Sequence, residues 1–362
     1  MTVLTSSRGL PPRTYNNWAD RVGHVIRYPE RLTILEAPIV PQIPTKLLLD
    51  EKYDVVHIHG MTPTQTDLAL LAATLKGEKV IYTHHFDAQT RGGRLTDLYS
   101  YLARPILNLA DIITASTLSY ANSSKFLKPY LKKVKIIPMG VDTARYEDLE
   151  KKTTFERAEE IQSFDSRILY VGKLIYYKGV NNLLQAFSQL KTDRACLVIV
   201  GSGAEMRPLN QLAKRLQVSD RVFFMGQVPD SQLPSIYANS DVVTLPSVTR
   251  REAFGIVLLE AMAAGKPVVA SAIPGVSDVV DNGRTGYLVP PADSNALAQT
   301  LENLLENRSE ARRMGEEGRI IALTRYDWQK VLSQYLNLYG NIVENSEPLS
   351  IAQPVGQGFS CC

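Results

Sequence analysis

Glu252 and Glu260 stand eight residues apart, the first just before an apolar helical run and the second inside it. The turn after Pro246-Ser247 brings Glu252 to the mouth of the expected helix. Unpaired backbone N–H groups and the helix dipole favour an anion there. Glu260 follows two turns on, on roughly the same face. Two acids beside an anion-binding helix start describe a ligand with hydroxyls at both ends and phosphate between, which a nucleotide-sugar fits. Paired acids also serve glycoside hydrolysis, where they sit about 5–9.5 Å apart. Eight helical residues rise about 12 Å, so the two are read as contacts to opposite ends of one long ligand. Taken alone, the spacing is also that of two solvated charges on an amphipathic helix.

A second feature is Gly172-Lys173-Leu174-Ile175-Tyr176-Tyr177-Lys178-Gly179, where a strand gives way to a helix. Glycine lets backbone approach a ligand, and Lys173 and Lys178 could flank a diphosphate without a metal. At about 4 Å and an effective dielectric near 20, one such ion pair is worth roughly 4 kcal/mol before desolvation. Gly201-Ser202-Gly203 follows another strand and could also approach phosphate, although it lacks the third glycine of a dinucleotide fingerprint. His57 and His59 alternate at a strand end, and His84-His85 closes another. No partner set with metal-ligand spacing accompanies them, so a histidine here is read as touching a sugar hydroxyl or as a hydrogen-bonded structural group. Lys125, Lys128, Lys132, Lys133 and Lys135, interleaved with Phe126, Leu127, Tyr130 and Leu131, suggest either an interfacial helix drawn to anionic lipid or a solvated face.

Short β-rich runs alternate with helical patterns, which argues for an α/β fold with parallel sheets. In the first half the expected strands are 2–5, 32–37, 55–59, 80–83, 112–115 and 135–138, with helices over 66–75, 95–108 and 120–131. The second series begins at 167–172. It continues with helix 179–190, strand 196–200, helix 205–216, strands 222–225 and 242–245, the acidic helix, strand 267–270 and helices 294–306 and 309–323. The 362 residues suit two domains of ordinary size. A hydrophobic content of 44% and charged content of 21% are those of a soluble globular protein. The net charge of +3 is too small to argue for nucleic acid but is comfortable with anionic substrates. Three cysteines form no disulfide framework or metal site, and no run is long enough to span a bilayer. A cytoplasmic location is expected, with a peripheral contact at the inner membrane face.

Taken together, the chain resembles the retaining glycosyltransferases of the GT-B fold, in the E-x7-E branch that uses nucleotide-diphosphate sugars (family-four type, group 1). The resemblance rests on Asp54–Gly60, Thr83-His84-His85, Met139–Asp142, Val171–Gly179, Val200–Gly203, Phe224–Val228, Leu245-Pro246-Ser247, Glu252–Pro267, Gly275–Val280 and Asn282–Gly286. It implies two Rossmann-like, doubly wound domains facing across a cleft: 1–150 on the acceptor side and 151–325 binding the nucleotide-sugar. A helix at 326–343 would cross back to the first domain, and 344–362 would be a disordered tail. It further implies that Glu252 contacts the donor sugar hydroxyls and that Glu260 holds the ribose diol. Lys173 and Lys178 would take the diphosphate, with Gly172, Gly201 and Gly203 in the adjoining loops and Phe254, Gly255 and Ile256 supplying backbone at phosphate and sugar. Gly226 would lie in the base-pocket loop and His85 on the acceptor side near the reacting carbon. The acceptor would be a glycan, lipid-linked or small molecule, and no cofactor or metal is expected. Members usually open with a strand, a glycine-rich loop and a helix ahead of the strand that Thr2–Thr5 matches. Without that opening in view, the expectation is either an upstream start or a truncated form. Two alternatives stay open: a non-catalytic nucleotide-sugar-binding subunit, and a nucleotide-sugar epimerase of the same fold.

Overall fold

A computed structural model describes residues 1–6, 24–28, 32–34, 37–50, 52–60, 65–87, 104–147 and 155–344. Their contacts separate into two units, one of Met1–Ala115, Ser124–Ile136 and Leu336–Cys362, the other of Ser116–Ser123 and Ile137–Tyr335.

In the first unit, β1 (Thr2–Ser6) pairs in parallel with β2 (His24–Tyr28), while β3 (Leu32–Ile34) and β4 (Ala37–Ile39) form an antiparallel pair. The single strand expected over 32–37 is therefore two short ones. Next come α1 (Gln42–Leu49), β5 (Val55–Gly60), α2 (Gln65–Leu75), β6 (Lys79–His84), β7 (Ile112–Ala115), α3 (Leu118–Ser123, assigned to the second unit) and β8 (Val134–Ile136). Strands β5 to β8 make a parallel four-stranded sheet in sequence order. Val80 to His84 are all buried in β6, as expected of a strand covered on both faces.

The helix expected over 120–131 is broken. The Ser124 hydroxyl accepts from Phe126 N (3.2 Å) and Leu127 N (3.0 Å), and Pro129 then opens a 3-10 turn, Lys128–Lys133. Leu127 and Tyr130 turn inward while Lys125, Lys128 and Lys132 stay exposed. Lys133 Nζ donates instead to Asn108 O (2.7 Å) and Ala110 O (2.9 Å). An interfacial helix with an outward apolar face is thus ruled out for this segment. The helix expected at 95–108 falls mostly outside the described residues.

The second unit continues with α4 (Ala158–Gln162), β9 (Ser166–Val171), α5 (Val180–Phe187), β10 (Ala195–Val200), α6 (Met206–Arg215), β11 (Val222–Gly226) and α7 (Leu233–Ala238). After these come β12 (Val242–Leu245), α8 (Ile256–Ala263), β13 (Val268–Ser271), β14 (Gly286–Val289), α9 (Ser294–Glu306), α10 (Arg308–Ile321) and α11 (Trp328–Glu344). Six parallel strands lie in the order β11-β10-β9-β12-β13-β14. Alternating residues of β9 divide the core. Leu169 and Val171 join a cluster with Leu258, Leu259 and Tyr237, while Ile168 and Tyr170 join one with Leu183, Phe187 and Leu301 on the opposite face. Helices thus cover both faces, the doubly wound arrangement. Asp293 caps α9, its side chain accepting from Asn295 N (3.1 Å) and Ala296 N (2.9 Å).

Candidate active site

The chain leaves β9 in one direction to lay down β10 and β11, then returns to the other side of β9 with β12. Such a reversal opens a crevice at the carboxyl ends of the two central strands. The loops there carry the residues singled out in the sequence. Lys173 and Lys178 follow β9, and Ser247 and Glu252 follow β12. The two loops are laced together: Val248 N donates to Tyr177 O at 2.8 Å, and Arg251 lies over the Tyr177 ring at 4.8 Å.

Glu252 is not part of the helix; it precedes α8 by four residues in the strand-to-helix loop, so the axial rise of a helix does not set its separation from Glu260. It is only 8% exposed. Lys178 Nζ makes a short ion pair with Glu252 Oε2, and Ser247 Oγ donates to the same oxygen at 3.0 Å. Oε1 takes neither bond. Ser247 was read from sequence merely as a turn residue, yet it is fully buried and orients the acid. Lys173 stays exposed at the mouth of the β9 loop.

Helix α8 begins at Ile256 without a side-chain cap, after Gly255 at φ 85°. A Cβ at Gly255 would come within 2.6 Å of Leu245 Cδ2, so both the backbone angle and the packing require glycine. Phe254 points into the core against Tyr326, whereas Ile256 is 41% exposed at the helix start. The first turn of α8 therefore presents backbone N–H groups beside Glu252.

Glu260 sits in the middle of α8 and is half-buried. The Tyr237 hydroxyl donates to its Oε2 at 2.7 Å. Burial raises the Glu260 pKa; the Tyr237 bond and the nearby Arg145 guanidinium oppose that, and Asp230 reinforces it. Tyr237 belongs to α7, a helix absent from the sequence reading. Six residues on a chain stretch with little apolar periodicity give no signal linking it to an acid 23 positions away. Neither acid is a solvated charge on an amphipathic helix.

Gly172, Gly201, Gly203 and Gly226 lie at the carboxyl ends of β9, β10 and β11. Leu174 N donates to Ser202 O and Glu205 N to Leu174 O, both at 2.9 Å, and Gly201 N donates to Gly226 O at 2.7 Å. A Cβ at Gly203, whose φ is 158°, would lie 2.3 Å from Leu174 O. Gly201 and Gly203 are thus fixed by close approach of neighbouring loop backbone, whereas a Cβ at Gly226 would meet nothing within 4 Å.

In the first unit, His57 and His59 occupy alternate positions of β5 and stack at 4.6 Å; His85, just beyond β6, stacks on His59 at 5.2 Å. His59 Nδ1 and His85 Nε2 are 2.9 Å apart. His57 is held by Thr83 Oγ1 and by the Tyr339 hydroxyl, each at 2.6 Å. Burial first, then neighbouring histidines, push the His57 pKa down to about 3 and that of His85 to about 4. His84 is buried against Phe126 with Asp87 Oδ1 at 3.0 Å, a structural position. Among the described residues no group of three or more His, Cys, Asp or Glu is arranged to hold a metal ion. Nor is any described helix long and apolar enough to cross a membrane.

Residues 151–320 match the family described as Glycosyl transferases group 1, and residues 1–145 match Glycosyltransferase Family 4. An uncharacterized glycosyltransferase of Methanocaldococcus jannaschii is 30% identical, over 80% of this chain and 75% of its own. The O-antigen chain mannosyltransferase C of Escherichia coli is also 30% identical, over 82% of this chain and 78% of its own. The crystal structure of Anabaena HepE in complex with UDP superposes with a TM-score of 0.76 at 20% identity, covering 94% of this chain and 99% of that one. With two Rossmann-like parallel-sheet units built as in the GT-B fold, the chain belongs to the group 1 glycosyl transferases, and it is a glycosyltransferase.

Proposed function

We propose that the second unit binds a nucleotide-diphosphate-sugar along the carboxyl ends of β9, β10 and β12, and that the enzyme moves the sugar, with retention and without a metal, to a glycan, lipid-linked or small-molecule acceptor. The supporting observation is that Lys178 and Glu252, 74 positions apart in sequence, meet at the reversal of strand order, with Glu260 following in α8. On this reading Glu252 receives a sugar hydroxyl on Oε1 while Lys178 and Ser247 hold Oε2. Glu260 takes the ribose diol. Lys173, Lys178 and the N–H groups of α8 face the diphosphate and absorb its developing charge as the anomeric C–O bond breaks. The acceptor oxygen bonds to the anomeric carbon on the same face, and its proton passes to the departing phosphate oxygen. His85 stands on the acceptor side. The mannosyltransferase name of a relative supports an activated hexose as donor. The protein is cytoplasmic on this reading, and any contact with anionic lipid is electrostatic, through the exposed Lys125, Lys128 and Lys132.

A thermal-shift screen against UDP-, GDP- and ADP-sugars tests the proposal. One base class raises the melting temperature of the wild type, and the shift shrinks in Glu260→Ala. A donor that stabilises both proteins equally overturns the assignment of Glu260, and no shift with any donor overturns the proposed site.

A further inference from the structure

We propose that Tyr237 is the positioning residue of Glu260, fixing its carboxylate so that one oxygen is presented to the ribose diol; the inference rests on the donor reading above. Tyr237 is fully buried, and its hydroxyl donates to Glu260 Oε2 at 2.7 Å, leaving Oε1 outside that bond. Tyrosine brings little freedom to such a contact: the ring is packed edge-on to Tyr146 at 5.8 Å within the core cluster that includes Leu258 and Leu259 of α8. The backbone that carries it is equally fixed. Ser240 Oγ donates to Tyr237 O (2.8 Å), Asn239 Nδ2 to Ser235 O (2.8 Å), and Lys266 Nζ to Ala238 O (2.7 Å). Lys266 lies just past the end of α8, so it ties the helix bearing the tyrosine to the helix bearing the acid.

A wall completes the arrangement. Arg145 donates to Asp230 O at 2.7 Å and holds positive charge near the carboxylate. The buried Tyr146 hydroxyl faces the same acid without reaching hydrogen-bond geometry to any described group. The charged and titratable groups around Glu260 are therefore Tyr237, Tyr146, Arg145 and Asp230. A carboxylate held this way loses little freedom when a diol arrives, and it discriminates by geometry between a ribose and a deoxyribose.

Calorimetry with the whole chain tests this, using UDP, GDP and ADP, each beside its 2′-deoxy counterpart, on wild type, Tyr237→Phe and Glu260→Gln. Wild type should prefer the ribonucleotide at least about tenfold. Tyr237→Phe should weaken ribonucleotide binding about fivefold, leave deoxyribonucleotide binding unchanged, raise the donor KM and hold kcat within about twofold. Removing the bond also raises the Glu260 pKa, so the acid limb of binding should move to higher pH. Unchanged preference and pH profile in a folded Tyr237→Phe, with preference lost in Glu260→Gln, overturns the positioning role alone. Preference retained in Glu260→Gln overturns the donor reading beneath it. Should Tyr237→Phe prove unstable in a melt, its preference is read below its melting temperature, where it is folded: a lost preference supports the positioning role and an unchanged one overturns it.

Discussion

At the scale of single residues, the pair Lys178–Glu252 carries both structure and chemistry. Their side chains are 14% and 11% exposed, so removing one leaves the other's charge stranded in a poorly hydrated site. Glu252→Ala should destabilise the protein by about 3 kcal/mol, measured by urea denaturation. Glu252→Ala combined with Lys178→Met should recover part of that loss, because no charge is then orphaned, yet transfer should stay abolished. Recovery of both stability and activity would mean the pair is structural only. The sequence exposed these two residues as charges at strand ends. Their bond was hidden, because 74 positions separate them and only the reversal of strand order brings the two loops together. Ser247 stood in the Leu245-Pro246-Ser247 match but not as a partner of Glu252, and Tyr237 was hidden because it acts through an acid rather than through a motif of its own.

Elements were legible in proportion to their length and periodicity. Ile112–Ala115, Val242–Leu245 and Ser294–Glu306 match the expected bounds at both ends, since continuous apolar runs and a capped 13-residue helix leave one reading. Gly286–Val289 and Leu233–Ala238 went unread: a four-residue strand and a six-residue helix are sustained by neighbours, not by local propensity. The expected helix at 120–131 failed because Ser124 and Pro129 redirect the backbone, which turns the intervening apolar residues inward. The loop contacts at Gly203 give a test at this scale. Gly203→Ala forces a Cβ against Leu174 O at an unfavourable φ, and should cost about 2 kcal/mol and weaken nucleotide binding by moving the Lys173 loop. Denaturation and a donor titration check this; a variant of wild-type stability would show that the loops do not need the close approach.

For the molecule as a whole, the histidine stack predicts how stability follows pH. The folded pKa values of His57 and His85, about 3 and 4, lie below the unfolded value of 6.5, so the unfolded chain binds more protons between them. Stability should therefore fall as the pH drops from about 6.5 towards 3 and level off below. Calorimetric melts across that range check it, and His57→Gln should flatten the slope; a melting temperature insensitive to pH there would contradict the burial argument. Glycosyl transfer itself follows from family membership, whereas the donor, its grip and the roles of the acids are read from the site. The most direct measurement is nucleotide release from a panel of UDP-, GDP- and ADP-hexoses by wild type and by Glu252→Ala, at equal folded concentration with an acceptor mixture. Wild type should turn over one donor class, and the variant should lose at least about a hundredfold. Equal turnover by both proteins would contradict this.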